Sequence, residues 1–260
     1  MPVRCLTLDR PLDLRGTLPG IVSGDPGRRR RNGVLRLAGR RGTDPFQVAL
    51  EVVGTELVAE AWGPDADETL EDLPRLVGEE DDETGFVPRH DALVDLHRRH
   101  PGIRMGAQGR PWEFLVAAIL GQKVTMTETS RALVGLARSL GEPAPGPEGL
   151  WLLPPAEIVA GTPTYDLHPL GVERRRAETL VRAAREASRI ERAAATGSAR
   201  LDTVLRSIRG VGPWTSALVR DRALGDPDAV PVGDYHLPNG VAWLLAGEPR
   251  ADDTRMLELL

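Results

Sequence analysis

Apolar residues are spaced differently in the two parts of this chain. Up to residue 62 they come in short runs with partial alternation, at 3–8, 33–37, 46–53 and 57–62, and such runs predict strands. Between the first two, residues 12–22 after Pro11 suit a helix. Residues 65–77 predict another, with Asp and Glu crowding its first turns, where the helix dipole favours anions. An acidic stretch, 78–85, reads as a linker. Beyond it the spacing is helical: 91–99, 111–121 (opened by Pro111 and carried by Leu115, Ile119 and Leu120), 124–140, 154–160, 173–195, 201–209, 215–224, 237–246 and the start of one more at 252–260. Pro/Gly loops at 141–149 and 225–231 interrupt them. The expectation is an α+β chain, with a small N-terminal α/β domain (an antiparallel sheet plus helices) followed by a mainly α-helical region.

Composition narrows the classes. With 41% hydrophobic residues in 260, a packed core is available and a disordered chain is excluded. The single cysteine, Cys5, excludes an internal disulfide, a Cys-rich zinc site and a four-cysteine iron–sulfur cluster. No run reaches membrane-spanning length and no signal-peptide core opens the chain, so a bacterial cytoplasmic protein is expected. The net charge of -5 falls on residues 1–89, while residues 90–260 balance, so bulk charge does not point to a long groove for duplex DNA. A local phosphate site remains open. The arginine run Arg28–Arg31 reads as a solvated loop.

The most specific local feature is Ile208-Arg209-Gly210-Val211-Gly212-Pro213-Trp214-Thr215. Two glycines one residue apart make a tight interhelical turn that another backbone can approach, and the next helix opens with unpaired N–H groups. Together they suit one phosphate. Val211 between them would plug the turn into the core. An ordinary helix–helix connection explains the turn equally well on its own.

The context adds a resemblance. Ser207 to Ser216, followed by Gly225-Asp226-Pro227-Asp228-Ala229-Val230-Pro231-Val232-Gly233-Asp234, resembles the hairpin L-P-G-[IV]-G-x-x-T-A, Gly/Pro-rich loop and catalytic Asp of the helix-hairpin-helix DNA glycosylases. Ile119-Leu120-Gly121-Gln122-Lys123-Val124-Thr125 is similar to a third motif of that family, I-L-x-Q-x-V-[ST]. The N-terminal α/β piece, with Pro11-Leu12-Asp13-Leu14, resembles the alkylpurine branch, DNA-3-methyladenine glycosylase II. The resemblance implies a domain at 1–86 and a helical glycosylase region at 87–260. The latter would comprise a hairpin subdomain at about 111–224 and a second subdomain from about 87–110 plus 225–260, with the site between them. It implies double-stranded DNA containing damaged bases as partner, with no membrane, protein partner or cofactor. One ion stays open, a monovalent cation on the backbone of Arg209 to Gly212.

Chemistry follows from the same residues. Breaking an N-glycosidic bond builds positive charge on the sugar, and a carboxylate beside it stabilises that charge and can activate water. The resemblance gives this role to Asp234; capping the following helix is the other job for an Asp there, and both can coexist. His236 suits a structural hydrogen bond. Lyase members use a lysine at the position held here by Trp214, and the one lysine, Lys123, lies in another motif, so water should be the nucleophile. Trp214 offers a face for a cationic flipped purine, or a core side chain; Tyr165 and Tyr235 are weaker pocket candidates, and Trp112 and Trp151 suit the core. Gly210, Val211, Gly212, Thr215, Gln122, Lys123 and Thr125 are the DNA-binding candidates. Lys123 departs from the apolar residue common in alkylpurine relatives. The family continues with a further aromatic-bearing helix, so a chain stopping at Leu260 is expected to be truncated or to have an open pocket. The rival reading is a non-catalytic DNA-binding or damage-sensing protein that keeps the hairpin.

Overall fold

A computed structural model describes residues 1–260 apart from Ile21 and Ser23. The chain is α+β. Five antiparallel strands, β1 (Val3–Thr7), β2 (Arg28–Arg31), β3 (Val34–Arg41), β4 (Asp44–Val53) and β5 (Glu56–Trp62), form one sheet in the order β1-β5-β4-β3-β2. The pairings Leu35 with Leu50, Leu37 with Val48, Val48 with Ala61 and Leu50 with Ala59 stack buried apolar residues on one face. The helices α2 (Ala66–Glu71) and α3 (Leu73–Leu76) cover that face through Leu70 and Leu73.

Several expectations shift, each for a physical reason. The helix expected at 12–22 shrinks to α1 (Leu14–Thr17), capped by the Asp13 carboxylate on the Arg15 N–H and ended before Pro19-Gly20; its part at Ile21 lies outside the described residues. Residues 65–77 split because Pro74 has no N–H and its ring would clash with the Leu70 carbonyl, which instead accepts from Arg4. Arg28–Arg31 is an edge strand, not a loop: it pairs with β3, with Arg29 opposite Arg36 and Glu148 within ion-pair distance of both. Charged residues on an edge also discourage further strand pairing. The acidic 78–85 segment is fastened rather than free. Glu79 pairs with the fully buried guanidinium of Arg104, and Asp81 accepts from the Met105 N–H at 2.9 Å.

After α4 (Asp91–Arg99), which buries no residue, the helical part is built around α5 (Pro111–Leu120), buried on every side. Around it lie α6 (Met126–Leu140), α7 (Ala156–Gly161), a 3-10 turn (Thr164–Leu170), α8 (Arg174–Arg185), α9 (Ala187–Thr196), α10 (Ser198–Arg206) and α11 (Pro213–Leu224). The single helix expected at 173–195 is two, because the chain turns at Glu186 and so packs both α8 and α9 on α5. Two-residue strands β6 (Glu142–Pro143), at the start of the expected Pro/Gly loop, and β7 (Trp151–Leu152), just after it, pair with each other, and Leu150 and Leu152 pack on Ala38 of the sheet. The chain ends with α12 (Leu237–Ala246) and α13 (Asp253–Leu259), which pack on each other. Trp112 lies in the core, its indole donating to the Pro154 carbonyl, and Trp151 is half-buried under the Arg138 guanidinium. Among the described residues, no helix is long and apolar enough to cross a membrane.

Candidate active site

The hairpin between α10 and α11 is held from within. Val211 is buried in the helical core. Gly210 has φ +99°, and a Cβ there would meet the Thr179 side chain of α8 at 2.3 Å, so both conformation and space demand glycine. Gly212 differs: its φ is negative and a Cβ would meet nothing within 4 Å. Nothing inside the molecule requires glycine there, and the missing side chain leaves open space in front of the first turn of α11, whose leading N–H groups have no partner within the helix. That is a seat for an anion.

The third sequence motif meets the same turn. The Gln122 amide donates to the Gly210 carbonyl and to Thr215 Oγ1, both at 2.9 Å, so it straps the α5–α6 turn to the hairpin instead of projecting outward. Thr215 is buried by this contact. Thr125 caps α6 in a capping box with Glu128. Lys123 sits between them, exposed, in the left-handed region at φ +56°, a conformation uncommon for a residue with a Cβ. Carbonyls that the hairpin would offer a cation already take protein donors: Arg182 on Arg209 and Gln122 on Gly210.

Asp234 follows from the far end of α11. Gly225, left-handed at φ +65°, closes that helix in an αL cap, with Gly225 N–H on the Asp221 carbonyl and Asp226 N–H on that of Arg220. Asp226 pairs with Arg220 at 2.7 Å, fixing the loop that returns toward the hairpin. Gly233, at φ +95°, makes the final bend. Its N–H is held by both oxygens of Asp253 on α13, at 3.0 and 3.1 Å. The Asp234 carboxylate then receives three neutral donors. Oδ1 accepts from the N–H groups of His236 (2.8 Å) and Leu237 (2.9 Å), capping α12, and Oδ2 accepts from the Trp214 indole at 2.9 Å. Holding the start of α12 is thus one job of this carboxylate. Partial desolvation pushes its pKa up, but the Trp214 bond, the two backbone bonds and the neighbouring His236 outweigh it, and the net direction is down. Among the described residues no cation pairs with it.

The tyrosines fare differently. Tyr235 stands beside the carboxylate, 85% exposed and edge-on to the His236 ring at 4.8 Å. Tyr165 is 67% exposed on the 3-10 turn, and among the described residues no hydrogen bond or ring contact joins it to Trp214 or Asp234. Sequence reasoning missed two residues here. Asp253 anchors the loop from twenty positions away, a distance at which no local pattern speaks. Trp243 is 64% exposed on α12, two turns from His236 on the same helical face, and that spacing was the available signal.

A 3-methyladenine DNA glycosylase from Archaeoglobus fulgidus superposes with a TM-score of 0.83 over 98% of this chain and 90% of its own, at 20% identity. The chain has the fold of the helix-hairpin-helix DNA glycosylases. A Clostridium acetobutylicum 8-oxoguanine glycosylase/lyase, in its apo form, superposes with a TM-score of 0.75 over 99% of this chain and 90% of its own, at 14% identity. In sequence, the chain is 29% identical over 168 residues to a probable bifunctional transcriptional activator/DNA repair enzyme AlkA of Mycobacterium tuberculosis. That match takes 63% of this chain and 34% of the relative, so the chain spans about a third of the length of the curated relatives it matches. No family model matches.

Proposed function

We propose that this chain is a monofunctional DNA glycosylase: it binds duplex DNA, accepts a flipped damaged purine and hydrolyses its N-glycosidic bond with water. The observation that carries the reading is the Asp234 carboxylate, held by three neutral hydrogen-bond donors and, among the described residues, in no ion pair, beside a hairpin with an open anion seat. An ion-paired carboxylate would have its charge spent on its partner; this one is available to the positive charge that grows on the deoxyribose as the base departs. The purine leaves with the glycosidic electron pair, water adds at C1′, and a proton of that water passes to the carboxylate or to solvent. An alkylated purine is already cationic and needs no general acid, and the π faces of Trp214 and the exposed Tyr235 suit a cation. The archaeal structural relative is itself named a 3-methyladenine glycosylase, which agrees with an alkylated purine.

Water as the nucleophile rests on the residue at position 214. An indole cannot form a Schiff base, and Lys123 belongs to the α5–α6 turn. Gly212, the first N–H groups of α11, Lys123 and Arg209 are the proposed contacts to DNA phosphates, with Gln122 and Thr215 holding the turn that presents them.

The test is base release from methylated duplex DNA by the unmodified protein and by Asp234→Asn. We expect release to fall at least about 100-fold in the variant, with DNA affinity largely kept. Equal release by both would remove Asp234 from the chemistry. DNA binding without release by either would favour a damage-sensing binder. Strand nicking without alkali would overturn the monofunctional reading.

A further inference from the structure

We infer that Trp214 is a positioning residue for Asp234: its indole N–H fixes the carboxylate, leaving only the ring's face for a ligand. The inference rests on the reading of Asp234 as the carboxylate that faces the sugar, and it assigns Trp214 a job separate from stacking.

A carboxylate has about four acceptor positions. Two backbone N–H groups take Oδ1, and both come from the residues that follow Asp234, so they move with it. Alone, they tie the side chain only to its own loop. The Trp214 bond is the one that ties it to another element, from the first turn of α11. That turn is rigid: Pro213 opens the helix, Thr215 is strapped by Gln122, and Ser216 is buried with its hydroxyl on Asp202 at 2.7 Å. From the other side, Gly233 is held by Asp253, and a Cβ added to Gly233 would lie 3.9 Å from the Trp214 Cβ, so the loop passes close to the helix. The indole bond completes the closure and directs Oδ2, leaving about one acceptor position on that oxygen open to a substrate.

The indole N–H lies in the ring plane. An indole that donates edge-on to Oδ2 therefore turns its π faces to either side of the carboxylate and cannot rotate to follow a base without breaking the bond. A planar ligand stacked on that face would sit alongside the carboxylate, where a glycosidic carbon must be. One side chain would thus register the base and hold the acid that acts on its sugar. The other titratable groups at this point are His236 and Tyr235 on the same loop and Asp253 on α13; α11 contributes the neutral indole.

Two replacements separate the N–H from the ring. Trp214→Phe keeps an aromatic face. Benzothienylalanine at position 214 keeps the full bicycle and puts sulfur where the N–H stood. In the DNA-free protein, carbon-13 NMR of the Asp234 carboxylate should show its titration midpoint rise toward the ordinary aspartate range in both. With methylated duplex DNA, both should release base about tenfold more slowly at neutral pH, with KM within about twofold, and their acidic limb should move to higher pH. If the benzothienyl protein matches the unmodified one in midpoint and rate, Trp214 acts by stacking or packing alone and the inference is overturned. The NMR titration needs no turnover. A protein that releases no base but whose Asp234 midpoint still follows the N–H would refute the proposed function and keep the positioning role.

Discussion

Glu113 and Asp234 are both half of what a carboxylate can be in a protein. Glu113 sits on α5 where the helical part meets the sheet. One oxygen pairs with Arg110 at 2.9 Å and the other accepts from the Arg40 N–H of β3 at 2.8 Å. It is buried, and desolvation raises its pKa despite Arg110 and the Arg40 N–H. Arg110 in turn donates to the Ala38 carbonyl and lies near the rings of Phe46 and Phe114. Among the described residues Asp234 forms no ion pair; it keeps part of its surface wet, and its pKa is lowered chiefly by the indole and backbone donors, with a smaller contribution from the nearby His236. Burial wins at the junction; hydrogen bonding wins at the site. A buried ion pair holds two layers together and has no charge to lend, whereas neutral dipoles stabilise an anion while leaving its charge unspent.

The largest effect that tests this contrast is at the junction. Arg110→Ala strands Glu113 in a dry place and removes the donor to Ala38. Breaking one partner of a buried pair costs about 3–5 kcal/mol, so thermal unfolding should drop by many degrees. The burst of base release measured at low temperature, per folded molecule, should stay within about twofold. A protein that keeps its melting point but loses turnover would invert the comparison and make Arg110 part of the chemistry.

A smaller and opposite outcome is expected at Asp253. Its bonds to Gly233 are half-exposed, so Asp253→Ala should cost only about 1 kcal/mol of stability. It frees the residue next to Asp234, however, and small misplacements of a reacting group are expensive. Base release should fall about tenfold, with DNA affinity little changed. The ratio of activity lost to stability lost would then be reversed between Arg110→Ala and Asp253→Ala. Equal ratios would erase the distinction between the regions.

The same contrast explains what could be read before any coordinates. Strand alternation marked β1, β3, β4 and β5, because each has one face to bury. It could not mark β2, since four arginines have no apolar face; that strand exists through its pairing with β3 and through Glu148, more than a hundred positions away. The hairpin was visible because Gly210 and Gly212 stand one residue apart, yet only the structure separates a glycine demanded by Thr179 from one facing open space. Asp234 was found by resemblance to a motif. Its partner Trp214 lies twenty residues earlier, and no periodicity joins an indole edge to a carboxylate. What fastens the acidic linker at 78–85 was hidden for the same reason: its charges answer to Arg104 and Arg10, which local pattern cannot place.

The finest test replaces each acid by its amide and reads stability alone. Glu113→Gln leaves Arg110 buried without its counter-charge, and should cost roughly 1–3 kcal/mol. Asp234→Asn keeps an oxygen for the His236 and Leu237 N–H groups and sets an amide nitrogen against the indole N–H at a partly wet site, which should cost under about 1 kcal/mol. The pH dependence has opposite signs too. The folded pKa of Glu113 is raised, so its contribution to stability is complete below the ordinary glutamate value and is lost as pH rises through the folded one. That of Asp234 is lowered, so its contribution is complete above the ordinary aspartate value and is lost as pH falls through the folded one. Denaturant titrations of the two variants against the unmodified protein, from about pH 3 to pH 8, should therefore diverge at opposite ends of the range. Two difference curves bending at the same end would mean that burial, not hydrogen bonding, governs Asp234, and that its charge is not held ready for a sugar.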